Sequence, residues 1–294
     1  MGDYYEDENE EIERIEIELL LECIYRYYGF DFRNYAYSSI RRRIWHRANI
    51  ENVKSISQLQ GIILRSKSSM DKLLSDFSIN VTEMFRDPLF FKVFREKVVP
   101  FLREKPVIRI WHAGCSSGEE VYSMAILLHE EGLYDKVRIY ATDMNESIIE
   151  KANKGEIPIT NMQLYTKNYQ QAGGKKEFSQ YYTVQDELVS LQQFLKRNII
   201  FAHHNLVTDH SFNEFHVIIC RNVLIYFNHF LKNRVYHLFN NSLSEDGFVC
   251  FGNKETITDR EAESFFHEFD SKEKIYSKSK DHFQKKKEGN RDEI

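Results

Sequence analysis

Apolar and polar positions alternate with two different periods along the chain, and the period changes near Pro106. Before that point apolar residues recur at steps of three and four, as at Ile12, Ile15 and Leu19, a spacing typical of amphipathic helices. Further helices are predicted over 39–48, 56–65 and 70–77, and no strand is predicted before residue 106. The pattern therefore predicts a small all-helical domain, which we place at residues 12–91.

After Pro106, apolar runs of strand length alternate with helical segments. Helices are predicted over 119–131, 146–153 and 229–243. The predicted strands are Val107–Ala113, Val137–Thr142, Ile199–Ala202, Val217–Cys220 and Gly247–Gly252. Such alternation is typical of a doubly wound, Rossmann-like α/β sheet, which we place at residues 92–280.

Residues 155–196 interrupt this alternation. Gly173 and Gly174 stand between polar stretches and are followed by the β-type run Tyr181–Val184, so we expect an insertion that carries a small β-hairpin. The acidic start, residues 1–11, and the lysine-containing end, residues 281–294, contain few apolar groups. We expect the first to be disordered and the second to be a flexible tail.

Composition narrows the functional class. The net charge of -5 argues against a nucleic-acid partner, and no apolar run reaches the ~20 residues of a membrane-spanning helix. The four cysteines form no CxxC pair and His203-His204 lacks a third ligand at metal spacing, so we expect no metal site. Unpaired cysteines and the absence of a signal-peptide pattern favour a cytoplasmic protein with reduced thiols.

The loop after the first predicted strand is the first candidate for chemistry. Gly114 and Gly118 would let a ligand approach the backbone closely, but the loop is neither a G-x-G-x-x-G motif nor a P-loop. Glu119 and Glu120 open the following helix and would repel a pyrophosphate. They therefore favour a cofactor with cationic character, such as S-adenosylmethionine, although acids at this place can simply stabilise the helix N-terminus.

Polar residues at the ends of two further strands are the next candidates. Asp143 follows the second predicted strand, where a carboxylate suits the hydroxyls of a ribose, although an aspartate there can also cap the next helix. Asn222 and Tyr226 follow the strand 217–220; Tyr226 can alternatively be a core aromatic. The segment 79–88 has, by composition alone, the character of a domain linker.

Four sequence blocks together resemble the CheR chemotaxis protein methyltransferases, in order and in spacing. They are Asn80–Arg86, Trp111–Glu120, Ala141–Asp143 and Cys220–Phe227. The resemblance implies a class I methyltransferase sheet with a small inserted β subdomain, preceded by an all-α N-terminal domain. It also implies S-adenosylmethionine as the methyl donor, with S-adenosylhomocysteine as the product.

The resemblance assigns roles by position. Glu120 would meet the amino-acid end of the cofactor, Asp143 its ribose, and Arg221 and Asn222 would line the floor of the pocket. The full set of implied cofactor contacts is Asn80, Thr82, Arg86, Glu120, Asp143, Asn205, Leu206, Arg221 and Asn222.

The implied reaction is methyl transfer to glutamate side chains on the cytoplasmic helices of chemoreceptors. Because a glutamate carboxylate is already ionised at neutral pH, no general base is required. Our hypothesis is that Arg86 and Tyr226 position that carboxylate. A basic helix face, formed by Arg41, Arg42, Arg43 and Arg47, is a candidate surface for an acidic receptor helix, with a merely solvated face as the alternative.

Three other functions stay open at this level. The chain can be a methyltransferase for a signalling protein outside chemotaxis or for a small molecule. It can also be a non-catalytic adaptor that binds the cofactor. A nicotinamide-dependent dehydrogenase is disfavoured by the incomplete glycine pattern and the acidic start of the helix.

Overall fold

The computed structural model describes residues 2–77, 82–257 and 259–279, without the side chains of residues 2–8. The chain divides into two compact units. One unit consists of residues 1–79 and 225–232, and the other of residues 80–224 and 233–294.

Within residues 2–77, the first unit is built on four helices. They are α1 (Gly2–Tyr28), α2 (Tyr37–Ile50), α3 (Ile56–Arg65) and α4 (Lys67–Phe77). Helix α3 begins after Ser55, whose hydroxyl accepts a hydrogen bond from the backbone of Gln58 and so satisfies one free helix amide. Buried aliphatic and aromatic side chains form its core; Phe32 and Phe77, for example, meet edge to face with ring centroids 4.7 Å apart.

Helix α1 differs from the sequence prediction in two ways. It begins at Gly2, so disorder, which we expected over residues 1–11, is wrong for residues 2–11; glutamate has a high helix propensity, and acids are favourable at a helix N-terminus. Ile15 is 50% exposed and Ile17 only 1%. The helix thus buries a neighbouring stripe: the buried residues are Ile17, Leu20, Leu21 and Ile24, and the exposed ones Ile12, Ile15 and Leu19.

Ten strands lie in the part of the second unit that the structure describes. They are β1 (Ile108–Ala113), β2 (Val137–Asp143), β3 (Glu156–Pro158), β4 (Tyr182–Gln185), β5 (Leu188–Leu191), β6 (Ile199–His203), β7 (Phe215–Cys220), β8 (Leu243–Phe251), β9 (Phe266–Asp270) and β10 (Ile275–Lys278). Seven of them form one sheet in the order β6-β2-β1-β7-β8-β10-β9. The pairs from β6 to β8 are parallel and the last two are antiparallel, which confirms the doubly wound sheet.

Helices connect the strands and cover the sheet. They are α5 (Pro88–Val93), α6 (Val99–Arg103), α7 (Glu119–Glu130), α8 (Glu146–Lys154), α9 (Met162–Gln171), α10 (Gln193–Lys196), α11 (His229–Ser242) and α12 (Arg260–Phe265). A π-helical turn, Phe94–Val98, joins α5 to α6, and short 3-10 turns occupy 134–136, 159–161, 178–181 and 224–226.

The insertion forms a separate three-stranded sheet in the order β3-β5-β4. The predicted hairpin is confirmed: β4 and β5 are joined at Asp186, whose φ of 54° suits a tight turn. The sequence did not predict helix α9 within the insertion. Its Tyr169 and the nearby Tyr181 donate hydrogen bonds of 2.5 and 2.9 Å to Glu130 at the end of α7, and these bonds tie the insertion to the main sheet unit.

The boundary between the units lies at residue 79, not at the predicted residue 91. Met84, Phe85, Phe90 and Phe91 are fully buried in the core of the sheet unit, although the helical pattern of residues 88–93 resembles that of the preceding helices. The sequence also missed β9 and β10. The predicted tail, residues 281–294, lies outside the described residues.

Candidate functional site

The candidate residues of the sheet unit follow strands that end at one edge of the sheet. In the parallel register Ala113 lies beside Thr142, Asp143 beside His203, and His112 beside Ile219. The loops after β1, β2, β6 and β7 therefore leave the sheet at the same edge, where ligands bind in open α/β sheets.

The loop after β1 requires its glycines. The amides of Gly114 and Cys115 donate hydrogen bonds of 2.8 and 2.9 Å to the carbonyl of Thr142, which pins the loop against the end of β2. Gly114 has a φ of 80°, and a Cβ atom there would lie 2.5 Å from a methyl group of Val223. Gly118, with a φ of 91°, is similarly restricted, so the backbone turns where a side chain would not fit.

Asp143 ends β2 and is almost completely buried. One of its oxygens accepts a hydrogen bond of 3.0 Å from the amide of Ser116, and the other accepts one of 3.1 Å from the amide of Asn145. Burial raises the pKa of Asp143, while these amides oppose the rise. Asn145 caps helix α8, because its side chain accepts a hydrogen bond from the backbone amide of Ser147. The alternative role of Asp143 as the helix cap is therefore wrong.

The two glutamates that open α7 have different surroundings. Glu119 accepts a hydrogen bond of 2.6 Å from the Ser117 hydroxyl, and burial raises its pKa. Burial also raises the pKa of Glu120, but the hydrogen bond with His112 and the charge of Arg221 outweigh it, so the net shift is downward. Glu120 is therefore a stable anion at the sheet edge.

Arg221 holds Glu120 from the other side. Its guanidinium donates to Glu120 at 2.8 Å, to the Asp87 carboxylate at 2.7 Å and to the backbone carbonyl of Arg86 at 3.3 Å. It also lies 4.2 Å from the ring of Phe90. Its side chain has no exposed surface and supports Glu120 and the segment 86–87; that Arg221 lines the cofactor pocket stays a prediction.

The segment 82–87 is firmly packed in the sheet unit and is not a linker. The amide of Phe85 donates to the Ser123 hydroxyl at 2.8 Å, and the carbonyl of Met84 accepts from Asn168 at 3.1 Å. The carbonyl of Thr82 accepts from Tyr165 at 3.4 Å. Phe85 and Asp87 both have positive φ angles, 52° and 55°, which cost energy in non-glycine residues and indicate a tightly determined backbone. Asn80 lies outside the described residues.

The loop after β6 is folded by its own asparagine. The Asn205 side chain accepts a hydrogen bond of 2.9 Å from the amide of Val207, and the amide of Asn205 donates to Asp209 at 2.9 Å. Leu206 is buried beside it. The amide of His204 donates to the carbonyl of Asp143 at 3.1 Å, so this loop lies next to the end of β2.

Asn222, after β7, is held by a residue that the sequence did not single out as functional. Its backbone has a φ of 62°, and its amide donates to the Glu255 carboxylate at 2.9 Å. The same oxygen accepts from Gly252 at 2.6 Å. Glu255 therefore shapes the loops after β7 and β8, a role that leaves no recognisable mark in the sequence pattern.

Tyr226 belongs to the helical unit. The guanidinium carbon of Arg43 lies 4.4 Å from the centre of its ring, and its backbone carbonyl accepts from the amide of Ala36 at 2.8 Å. The Tyr226 side chain is partly buried there. Its pairing with Arg86 at a substrate carboxylate remains a prediction.

The predicted basic face of α2 is only partly confirmed. Arg43 is buried and donates to the carbonyl of Phe77, and Arg47 is buried with Asp76 at 2.7 Å. Arg41 is half exposed and pairs with Glu13, and Arg42 is exposed. Because Arg43 and Arg47 are buried, no face of α2 exposes all four arginines. Helical spacing alone cannot show which charged residues turn inward.

Comparison with known proteins assigns the family. Residues 80–275 match the model of the CheR methyltransferase SAM binding domain, and residues 15–78 match the model of the CheR methyltransferase all-alpha domain. The chain belongs to the CheR methyltransferase family. Its methyl donor is therefore S-adenosylmethionine (SAM).

Three relatives match this chain along most of their own length. Cher3 of Pseudomonas putida, which is named as a methyltransferase with no substrate stated, is 44% identical over 90% of this chain and 97% of its own. A chemotaxis protein methyltransferase of Borreliella burgdorferi is 30% identical over 85% of this chain and 90% of its own. One of Listeria innocua is 29% identical over 78% and 85%.

The sheet edge of this CheR protein fits such a cofactor chemically. The Gly114 turn packs directly against Val223, where a Cβ atom would collide, and Glu120 supplies a negative charge suited to the cationic methionine end. Asp143 supplies carboxylate lone pairs suited to ribose hydroxyls. Among the helices described, none is long and apolar enough to cross a membrane.

Proposed function

We propose that this protein methylates glutamate side-chain carboxylates of chemoreceptors, with SAM as donor and methyl esters as product. The observation that carries the proposal is the acidic sheet edge, with Glu120 and Asp143 at the ends of adjacent elements, in a chain of the CheR family. Two of the relatives above are named chemotaxis protein methyltransferases, which supports the receptor as substrate.

The proposed roles follow from charge and position. SAM supplies an electrophilic methyl group on a sulfonium. Glu120 would attract the ammonium of its methionine end, and Asp143 would accept hydrogen bonds from its ribose. Thr82, Arg86, Asn205, Leu206 and the loop at Asn222 would complete the surroundings of the nucleoside, with Asn80 added by family resemblance.

Alignment of the substrate would require little acid–base chemistry. The substrate carboxylate is an anion at neutral pH, so Arg86 and Tyr226 would orient it instead of removing a proton. Cys115 and Cys220 are unsuited to act as nucleophiles, because burial raises their pKa well above the ordinary value. Orientation and exclusion of water would supply most of the acceleration.

A methylation assay tests the substrate assignment. The full-length protein is incubated with methyl-labelled SAM and membranes that contain chemoreceptors, and label in receptor bands is treated with base. We expect volatile methanol, because esters hydrolyse in base, and loss of label when the receptor glutamates are changed to alanine. Base-stable label, or label in a different protein, would contradict the proposal and favour a signalling target outside chemotaxis.

A matched pair of variants tests the site. Asp143→Asn removes a charge at the carboxyl end of β2, whereas Asp135→Asn changes an 89% exposed surface aspartate just before the other end of the same strand. We expect Asp143→Asn to weaken binding of S-adenosylhomocysteine about tenfold or more and Asp135→Asn to bind like the wild type. Equal binding by both variants would exclude Asp143 from the cofactor site.

The receptor surface is proposed to include Arg41 and Arg42, the two exposed members of the α2 arginines. Chemoreceptor methylation sites lie on cytoplasmic helices, so the proposal also places the protein in the cytoplasm.

A further inference from the structure

His112 is a buried histidine that the sequence did not mark as a candidate. It lies on β1, one residue before the strand ends, and is 1% exposed. Its Nδ1 atom is 3.2 Å from Oε1 of Glu120, eight residues later on α7. Because a carboxylate only accepts hydrogen bonds, the contact requires a proton on Nδ1.

The contact completes a continuous path across the sheet edge. Glu120 accepts from His112 with one oxygen and from Arg221 with the other, and Arg221 reaches Asp87 and the carbonyl of Arg86. The path thus connects β1, α7, the loop after β7 and the segment before α5. Glu120, which is proposed to face the cofactor, is one of its members, and Arg86 joins it through its backbone carbonyl.

The geometry gives His112 a specific task. A glutamate side chain has three rotatable bonds and adopts many rotamers when it is free. Arg221 alone fixes one oxygen, and His112 fixes the other, so the pair determines the plane of the carboxylate. The Nε2 atom of His112 is buried and has no hydrogen-bonding partner among the described residues. Within the described residues, the ring is therefore oriented by the hydrogen bond between Nδ1 and Glu120.

We propose that His112 is a positioning residue for the amino-acid end of SAM. Through Nδ1 it holds the Glu120 carboxylate in the orientation that receives the cofactor's ammonium group. The inference rests on the proposed role of Glu120 and deepens it: His112 sets the preference for ligands that carry the methionine moiety over the nucleoside alone.

Two substitutions separate positioning from packing. Asn places an amide N–H at the same number of bonds from the backbone as Nδ1, whereas Leu has a similar volume and no donor. We therefore compare His112→Asn and His112→Leu with the wild type by calorimetry. The probes are S-adenosylhomocysteine and 5′-methylthioadenosine, which lacks the amino-acid end.

We expect His112→Leu to bind S-adenosylhomocysteine about tenfold more weakly, as for loss of a hydrogen bond to a charged group, and to bind methylthioadenosine within about twofold of the wild type. His112→Asn should retain most of the affinity for both. Equal losses for the two ligands, or wild-type binding by His112→Leu, would overturn the positioning role.

A third variant covers the case in which His112→Leu does not fold. His112→Gln carries its amide at the Nε2 distance, so it is polar like His112→Asn but lacks the donor facing Glu120. We then expect His112→Gln, and not His112→Asn, to lose selectivity for S-adenosylhomocysteine; equal selectivity would reject the inference. These binding assays contain no receptor, so their outcome is independent of the receptor methylation assay. The role of His112 can be rejected while receptor methylation is found, and the role of His112 can be supported while receptor methylation is not found.

Discussion

Three acidic residues at the sheet edge look alike in the sequence and differ in the structure. Glu119 is paired with a hydroxyl and Asp143 with backbone amides, and burial raises the pKa of both. Glu120 lies between His112 and Arg221, and its pKa is lowered. The partner of each carboxylate, and not its position at a helix start, therefore decides how readily it stays ionised.

This contrast predicts opposite pH dependences for two variants. Because the pKa of Glu120 in the folded protein is lowered, its ionisation stabilises the fold at pH values above the ordinary pKa of a glutamate. This stabilisation is lost as the pH falls through the lowered pKa. Because the pKa of Asp143 in the folded protein is raised, its protonated form stabilises the fold at pH values below the ordinary pKa of an aspartate. This stabilisation is lost as the pH rises through the raised pKa. Urea unfolding between about pH 3.5 and 6 measures both.

We expect the stability difference between wild type and Glu120→Gln to grow with pH up to about the ordinary pKa of a glutamate and to level off above it. The difference between wild type and Asp143→Asn should move the opposite way. Parallel curves for the two variants would show that the assigned environments are wrong.

At the scale of single elements, α1 shows what helical periodicity leaves undecided. Ile15 and Ile17 both belong to stripes with three- and four-residue steps, and the structure buries only the stripe of Ile17. Ile17→Ala should destabilise the helical unit by about 2–4 kcal/mol, because it leaves a cavity in a packed core. Ile15→Ala should stay within about 0.5 kcal/mol of the wild type. Urea unfolding followed by circular dichroism provides the comparison, and a larger loss for Ile15→Ala would contradict the orientation of α1.

Helix α2 permits a similar separation of folding from binding. Arg47→Glu would place a third negative charge beside Asp76 and Glu51 in a buried position, and we expect a loss of about 3 kcal/mol or more. Arg42→Glu changes an exposed residue, so stability should be retained while receptor binding weakens, most clearly at low salt. Receptor pull-down at two salt concentrations tests this, and unchanged binding would remove Arg42 from the proposed surface.

The elements that the sequence predicted best are those whose signal is local. Val137–Thr142 is a β-type run that is apolar except for Arg138 and Thr142, and the structure extends it only to Asp143. Strand β9 begins with a buried phenylalanine, which is followed by two exposed and two half-buried residues. This pattern is too short and too mixed to be identified as a strand from the sequence. His112 was missed for a different reason: its importance depends on Glu120 and Arg221, which only the folded chain brings together.

At the scale of the whole molecule, every described residue proposed to contact SAM lies in the sheet unit, whereas Tyr226 and the arginines of α2 lie in the helical unit. Cofactor recognition and the proposed receptor surface are thus assigned to different units. The domain boundary predicted at residue 91 would have divided them incorrectly, because the segment 82–87 is held by Ser123 and Asn168 of the sheet unit.

The two tryptophans allow this division to be tested, since Trp111 is buried in the sheet unit and Trp45 lies in the helical unit. In a Trp45→Phe variant the fluorescence reports Trp111 alone. S-adenosylhomocysteine at about 100 times its dissociation constant should then stabilise the Trp111 transition by about 2.7 kcal/mol. The control Asp143→Asn, at the same ligand concentration, should show a smaller shift because its affinity is reduced. If calorimetry detects binding while the Trp111 transition does not move, the ligand is not held by the sheet unit, and the assignment of the cofactor to the ends of β1 and β2 is wrong.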